Sequence, residues 1–217
     1  MAEASGNAAE AALVARSPID PAPPVTVERA WQISARRSDA ALRIVDCTPL
    51  TKVLVKAPVD GPVAASLDVP FGRATRDSSG VLVTGSGPGE WLLLAPPGGA
   101  DEVVGRLHET SEGAWMHAFD VTHGRALLRL GGADAPALLS KVCAIDFADG
   151  VTPNGTALRS SVATIVTDVV RHDPEQGREP SYLLGCERSS GQYLFDALLD
   201  AGKEFGIDVD GFVFPGI

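Results

Sequence analysis

With 217 residues, 45% of them hydrophobic, the chain can bury one sizeable core or two small fused subdomains, which excludes a fibrous or wholly disordered protein. Its formal net charge of −10 opposes nonspecific binding to polyanions. Neither nucleic acid nor an anionic membrane is therefore an expected partner.

Residues 1–40 are predicted to form a flexible N-terminal arm rich in Ala and Pro. The run from Pro18 to Pro24 contains four prolines, which do not fit a regular helix. Residues 28–40 are compatible with a short helix, with Trp31 as its only large apolar anchor. Residues 41–217 are then expected to form a single domain.

From Leu42 onward, short apolar runs separated by turn residues predict seven strands. In chain order these runs are LRIVDC, TKVLVKA, GVLVTG, EWLLLAP, RALLRLGG, VATIVTDVV and SYLLGCE. Several connections are shorter than the dozen or so residues that a parallel crossover needs, which favours a largely antiparallel sheet.

Three predicted helices lie between these strands, each with a candidate N-cap residue. Asp101 precedes EVVGRLHET, Asp134 precedes APALLSKVC, and Ser189 or Ser190 precedes GQYLFDALLDAGKEFG. Helical spacing predicts that the last helix has an apolar face formed by Tyr193, Ala197, Leu198 and Ala201. Together the elements predict an α+β fold with helices packed on one face of the sheet.

Two segments share one pattern of strand, polar turn, strand, short loop and helix. They are residues 81–109 and 164–200, and Trp91-Leu92-Leu93 of the first corresponds to Tyr182-Leu183-Leu184 of the second. Two such units can bury faces that neither could bury alone. We therefore predict that the domain consists of two half-repeats.

Two glycine-rich stretches are candidates for phosphate binding. TGSGPGEWLLL (84–94) leads into a strand and lacks the following Lys-Ser/Thr, so a hairpin turn is the favoured interpretation. Gly131-Gly132 does precede a helix, but a capping carboxylate from Asp134 would occupy the N–H groups that an anion needs. A tight turn is favoured there too, with anion binding as the alternative.

No catalytic motif is evident among the ionisable and nucleophilic residues. The four histidines share no metal-ligand spacing, and there is no GxSxG elbow. His123 and Asp168 are the ionisable groups of most interest, because a carboxylate on an apolar strand is a functional candidate if it is buried. For Asp168 a solvent-facing or turn-capping position is favoured over catalysis. We assign no catalytic, cofactor-binding or metal-binding residue, and expect a binding or assembly role.

The cysteines and the N-terminus indicate a reducing compartment. Cys47, Cys143 and Cys186 are odd in number and far apart, which fits neither a CxxC metal pair nor a disulfide framework. The N-terminus has no basic stretch followed by an apolar one, and no later segment reaches the ~20 apolar residues of a membrane span. We expect a cytoplasmic protein.

Four blocks of the chain resemble the gamma subunit of heterotetrameric sarcosine oxidase. They are GPGEWLLLAPP (87–97), DVTHGRALLRLGGADAPALLSKVCAIDF (120–147), LRSSVATIVTDVV (158–170) and SYLLGCERSSGQYLFDALLDAG (181–202). That family belongs to the wider glycine-cleavage T-protein group of folate-binding folds. The resemblance therefore implies duplicated ferredoxin-like halves.

The resemblance also implies a complex of alpha, beta, gamma and delta chains. Such a complex oxidatively demethylates sarcosine to glycine with hydrogen peroxide and passes the one-carbon unit to tetrahydrofolate. In the family the beta chain carries FAD and FMN, the alpha chain carries NAD and the folate site, and the delta chain binds zinc. The gamma chain is left non-catalytic, without a cofactor, and packed chiefly against the alpha chain.

Two alternatives remain: a folate-binding aminomethyltransferase-like protein acting on its own, and a subunit of a sister complex acting on another N-methyl amine. In the T-protein, an Asn-containing double-glycine turn precedes an Asp-Asp pair that handles the folate and the aminomethyl group. The matching stretch here, RSSVATIVTDVV (159–170), lacks the glycines and keeps Asp168 alone as an approximate counterpart. Acid-base chemistry needs a carboxylate held near the reacting nitrogen, so catalysis by this chain alone is not expected.

Overall fold

The computed structural model describes residues 13–174 and 179–216. Four α-helices are found there, namely α1 (Pro62–Leu67), α2 (Ala100–Ser111), α3 (Ala135–Val142) and α4 (Gly191–Gly202). The strands are β1 (Ala15–Arg16), β2 (Val25–Glu28), β3 (Trp31–Ser34), β4 (Arg43–Asp46), β5 (Thr51–Lys56), β6 (Ala74–Arg76), β7 (Leu82–Gly87), β8 (Glu90–Ala95), β9 (His117–Asp120), β10 (Arg125–Gly131), β11 (Ala157–Val162), β12 (Ile165–Arg171), β13 (Ser181–Glu187) and β14 (Asp208–Asp210).

Two large sheets repeat one topology. The first has the order β6-β7-β8-β5-β9 and the second the order β11-β12-β13-β10-β4-β14. In the first half the chain runs β5-α1-β6-β7-β8-α2-β9, and in the second β10-α3-β11-β12-β13-α4-β14. Each half is a ferredoxin-like unit with one added strand, β6 or β11, and in the second sheet β4 is also inserted between β10 and β14. All pairings in both sheets are antiparallel except that of β14 with β4.

The leucine runs are continuous because most central strands bury both faces. On β8, Trp91 and Leu93 pack with the cluster that contains residues of α1 and α2, whereas Leu92 and Leu94 belong to a cluster between the sheets. On β13, Tyr182 and the other residues with the same parity pack toward α3 and α4. The protein is therefore layered as helices, sheet, sheet, helices.

The predicted α+β class and the duplicated halves are confirmed. Strands β8 and β13 occupy equivalent places in the two sheets, and Trp91 and Tyr182 both point toward the helices of their own half. One feature differs from the expectation: there are two large sheets, each with its helices on one face, and not a single sheet. The limits of the domain at residues 41 and 217 stay a prediction.

The predicted helix over residues 28–40 is wrong. Trp31 lies on β3, which pairs with β1 and β2 in a small three-stranded sheet. Arg29 and Ala30 have φ values of 46° and 62° and turn the chain between β2 and β3. The alternation of buried Trp31 and Ile33 with polar neighbours has the period of a strand. Of the predicted arm, residues 13–40 therefore contribute to the core, while residues 1–12 lie outside the described residues.

Three further details differ from the expectations. The predicted strand VATIVTDVV is a β11–β12 hairpin, because Ala163 and Thr164 adopt positive φ and reverse the chain. Helix α2 has Gly99 at its N-cap, so Asp101 lies within the first turn. On α4, Ser190 is the N-cap as predicted, but Tyr193 is exposed and the buried face is formed by Gly191, Leu194, Phe195, Leu198 and Gly202.

The glycine-rich stretch at 84–94 forms the predicted hairpin between β7 and β8. Gly89 has a φ of +69°, and a Cβ there would lie 2.5 Å from the Ala57 carbonyl oxygen. At Gly85 a Cβ would lie 2.2 Å from the Pro70 carbonyl oxygen. Both glycines are required by close backbone approach, which is a structural role.

Candidate functional site

Asp168 lies on β12 and faces the space between the two sheets, with its side chain only 14% exposed. Its Oδ2 accepts a hydrogen bond from Arg125 Nη2 at 2.5 Å, and its Oδ1 accepts one from Arg159 Nε at 2.6 Å. The hydrogen bond to Asp168 and its negative charge raise the pKa of Arg159. The sequence favoured a solvent-facing or turn-capping position for Asp168, and the structure shows neither.

A cavity of about 200 Å³ adjoins this ion-pair cluster. Polar groups on its wall come from both sheets, and the apolar part includes Leu54 and Leu92. Arg125 also contacts Glu187, and Arg159 approaches Glu90 at 4.0 Å. Each charge of the cluster has an opposite neighbour, and both Asp168 oxygens are engaged by guanidinium groups. The close pairs join strands of the second sheet, and only the Arg159–Glu90 contact at 4.0 Å reaches the first sheet.

His123, the other ionisable candidate, stacks on Trp31. Their ring centroids are 5.1 Å apart and the ring planes differ by 10°. Among the described residues its ring has no carboxylate partner within hydrogen-bond distance. His123 and Asp168 are not brought together as an acid-base pair, and His123 contributes to packing of the small N-terminal sheet.

The turn at Gly131-Gly132 leaves little room for an anion. The Gly132 N–H donates to the Pro180 carbonyl at 3.1 Å, and a Cβ at Gly132 would lie 2.1 Å from the Ala41 carbonyl oxygen. Asp134 occupies the N-cap position of α3, but its side chain makes no capping hydrogen bond. The tight turn therefore results from close backbone contacts of Gly132, and not from the capping carboxylate of Asp134 that we expected.

One buried charged group was not predicted from the sequence. It is Lys52 on β5, which is 1% exposed. Its Nζ donates to the carbonyl oxygens of Thr48 and Leu50, both at 2.8 Å. Burial lowers the pKa of Lys52 to about 8, and burial raises the pKa of nearby Asp46. The ammonium ties the β4–β5 connection to the strand.

An exposed aromatic cluster lies on and just before β9, the edge strand of the first sheet. His117 is in edge-to-face contact with Trp115 at 5.2 Å and stacks on Phe119 at 5.7 Å between ring centroids. Trp115 is 59% exposed and Phe119 is 49% exposed. We call these three side chains the aromatic ladder. In residues 13–174 and 179–216 no strand pairs with the outer edge of β9.

The described residues contain no group of three or more His, Cys, Asp or Glu side chains that could hold a metal ion. None of the helices in that part of the chain is long and apolar enough to cross a membrane. All three cysteines are buried and unpaired.

Comparison with known structures places the chain among T-protein-like folds. The heterotetrameric sarcosine oxidase from Corynebacterium sp. U-96, solved in complex with pyrrole 2-carboxylate, matches with a TM-score of 0.66 and 22% identity over 79% of this chain and 89% of that chain. The glycine cleavage system aminomethyltransferase T from Bartonella henselae matches with a TM-score of 0.62 and 15% identity, over 86% of this chain and 55% of that chain.

The family assignment comes from the sequence. The model of the sarcosine oxidase, gamma subunit family matches residues 58–204, and the chain belongs to that family. A curated relative, novobiocin biosynthesis protein H from Streptomyces niveus, is 32% identical over 149 residues, or 63% of this chain. The chain spans about a quarter of that relative's length, since the match covers 25% of it.

Proposed function

We propose that this chain is the non-catalytic gamma subunit of a heterotetrameric sarcosine oxidase. In that complex sarcosine is oxidatively demethylated to glycine with formation of hydrogen peroxide, and the one-carbon unit passes to tetrahydrofolate. The observation that carries the proposal is the match of residues 58–204 to the sarcosine oxidase, gamma subunit family. The aromatic ladder at the open edge of β9 independently supports an assembly role.

The ladder has the properties of a protein–protein contact. Large aromatic side chains are enriched in interfaces, and Trp115 and Phe119 together expose far more apolar surface than a lone residue does. An unpaired strand edge also offers backbone donors and acceptors to a second chain. Where β9 pairs with β5, the Val121 N–H donates to the Lys52 carbonyl oxygen. Because inward-facing and outward-facing backbone groups alternate along a strand, those of Ala118 and Asp120 face away from β5.

The cofactors of the proposed complex would lie in other chains. We infer FAD and FMN in the beta chain, NAD and tetrahydrofolate in the alpha chain, and zinc in the delta chain, with the alpha chain as the main partner of this one. Both Asp168 oxygens are engaged by arginines, which supports a non-catalytic role for this subunit. The complex would be cytoplasmic.

Co-expression tests the proposal directly. This chain, carrying an affinity tag, is produced with the alpha, beta and delta chains of the same organism, and the recovered complex is quantified by its flavin absorbance and by sarcosine-dependent peroxide formation. We expect the double variant Trp115→Ser/Phe119→Ser to lower the recovered flavin at least about tenfold, because aromatic anchors dominate interface energies.

The matched control is Val166→Ser, which removes an apolar side chain that is 69% exposed at a different place, on β12. It should leave complex formation unchanged. Recovery of this chain as a stable monomer that does not bind the flavin-bearing chains would contradict the proposal. Peroxide formation with another N-methyl amine, and none with sarcosine, would assign the chain to a sister complex.

The alternative of a folate-binding protein acting alone has one observation in its favour, the cavity beside Asp168. At about 200 Å³, however, that cavity is smaller than the ~300 Å³ at which pockets for drug-sized ligands begin. Titration of the isolated chain with tetrahydrofolate in a calorimeter distinguishes the two functions. Saturable heat that disappears in Asp168→Asn would favour the alternative, and we expect none.

A further inference from the structure

A larger cavity than the one beside Asp168 lies at the seam between the two halves. It has a volume of about 520 Å³. One wall comes from β6 and the loop before it, and the other from residues 154–155 and the end of β12. The seam is held by backbone hydrogen bonds, from Ala74 N to Gly155 O at 2.8 Å and from Ala157 N to Gly72 O at 2.9 Å.

Two arginines, Arg73 and Arg76, line this cavity. Neither Arg73 nor Arg76 forms an ion pair with any described residue, and the side-chain contact found for Arg76 is to the Gly80 carbonyl oxygen at 2.7 Å. Two acidic residues also line the cavity. Asp173 is engaged by Arg171 at 3.1 Å and by the Ser181 N–H at 2.9 Å, while Asp68 is exposed at the end of α1.

A histidine completes the wall. The Nδ1 atom of His172 is buried and has no hydrogen-bond partner among the described residues. Burial, together with the charges of Arg129 and Arg76, lowers the pKa of His172 to about 4, against the opposing charge of Asp173. His172 therefore faces a positive local potential, and the hydrogen-bonding capacity of its Nδ1 atom is not used by any described residue.

From this geometry we propose that the seam cavity binds an organic anion bearing a carboxylate or phosphate group. The guanidinium groups of Arg73 and Arg76 would pair with the anionic group, because planar guanidinium forks match carboxylate and phosphate oxygens. His172 Nδ1 and the side-chain amide of Asn154, whose Oδ1 already accepts the Asp173 N–H, would bind a polar group on the rest of the ligand. The cavity volume is in the range of small-molecule sites.

This site is independent of the proposed subunit role, since the cavity is far in sequence from the aromatic ladder and lacks any residue of β9. Anion binding and subunit assembly can therefore be tested separately, because an anion should bind to the full-length chain whether or not the other subunits are present.

Binding can be measured on the full-length chain by NMR, with the imidazole signals of His172 as the reporter. Inorganic phosphate, acetate and succinate are titrated against sodium chloride at equal ionic strength. We expect saturable chemical-shift changes with phosphate or a carboxylate that chloride does not reproduce. The pKa of His172, about 4 in the free chain, should be higher in the bound state, because a nearby anion stabilises the imidazolium.

Variants then separate a built site from general charge screening. Arg73→Gln/Arg76→Gln should weaken binding at least about tenfold, because two charge-assisted hydrogen-bond donors are lost. Arg73→Lys/Arg76→Lys keeps the charge and should retain weaker but saturable binding. Arg37→Gln, an exposed arginine on the small N-terminal segment, is the control and should bind as the natural chain does.

The signal of His172 gives a second readout that a merely structural effect would not produce. Arg76→Gln should raise the pKa of His172 in the free protein while abolishing the additional rise caused by the anion. The proposal is overturned if chloride shifts the signals as much as phosphate and both carboxylates do, or if the double Gln variant binds like the natural chain while circular dichroism shows it folded.

Discussion

The two halves of this protein share a topology but treat the same sheet edge in opposite ways. In the first half, β9 lies beside β5 and ends the sheet, with its aromatic ladder exposed. In the second half, the equivalent place beside β10 is taken by β4, a strand that precedes the whole first half in sequence, and β14 then covers β4.

The difference teaches which part of the fold is self-sufficient. Ile44 on β4 is fully buried, whereas Phe119 on β9 is 49% exposed. An open edge with apolar side chains is an association hazard unless a partner covers it. The sheet of the second half is thus extended by β4 and ends on the partly buried β14, whereas the first half ends on the exposed edge expected of a subunit. Four predictions test this contrast, from the largest effect to the smallest.

The strongest disruption should come from Gly132→Ala, at the point where the second half contacts the segment that leads into β4. Gly132 has a φ of +138°, and a Cβ there would lie 2.1 Å from the Ala41 carbonyl oxygen, so the backbone must move. We expect a loss of about 4 kcal/mol in the free energy of unfolding, measured by urea denaturation.

The control for this variant is Gly98→Ala. Gly98 also has a positive φ of +85°, but a Cβ there would have open space around it. It should cost only about 1 kcal/mol. Equal losses for both variants would show that the contact between Gly132 and Ala41 is unimportant.

Truncation of the closed edge is the next largest effect. Ile44→Ala removes a fully buried side chain from the core cluster that includes residues of α3 and α4. We expect a loss of about 3 kcal/mol, seen as a lower urea midpoint with an unchanged slope. A loss below about 1 kcal/mol would mean that β4 is dispensable for the second half.

The seam between the halves should weaken in acid. The pKa of His172 is about 4 in the folded chain, below its ordinary value of 6.5, so the unfolded chain binds more protons between these pH values. Its contribution is present above pH 6.5 and is lost as the pH falls toward 4. Because the ring is partly exposed, we expect a loss of about 2 kcal/mol.

The measurement compares the natural chain with His172→Gln in urea titrations at several pH values, without added phosphate or carboxylate. Carboxylates elsewhere titrate in both proteins, so the difference between the two slopes is the quantity of interest. Parallel pH profiles would contradict the role assigned to His172.

The smallest effect on stability is expected at the open edge. Phe119→Ala should change the free energy of unfolding of the isolated chain by no more than about 0.5 kcal/mol, because the side chain is half exposed and lies at the end of a sheet. Self-association, followed by sedimentation velocity, should nevertheless decrease. A loss comparable to that of Ile44→Ala would show that the two edges are equally buried in solution.

Local sequence patterns predicted much of the fold. The hairpin at residues 84–94 and the correspondence of Trp91 with Tyr182 are correct, because both depend on neighbouring residues and on strand periodicity. The strand at Trp31 was missed although its period-two alternation is visible, because β3 has only four residues and ends at Ser34. The short strands β6, β9 and β14 have too few residues to show a period.

The candidate site was predicted less completely. Asp168 was identified as unusual from its apolar neighbours, but its partner Arg125 is 43 residues away in sequence. No local pattern specifies such a pair. The buried ammonium of Lys52 was missed for a related reason, because its acceptors are backbone carbonyls, which carry no sequence signal.

By itself the sequence determined the class of fold, the internal duplication and the family, since each is written in the order and spacing of local segments. Only the tertiary structure decided that β4 closes one half while β9 stays open, that Asp168 is held by two guanidinium groups, and that Arg73, Arg76 and His172 line one cavity. The physical reason is that these features depend on contacts between residues far apart in the chain, whose partners are selected by packing and charge and not by local propensity.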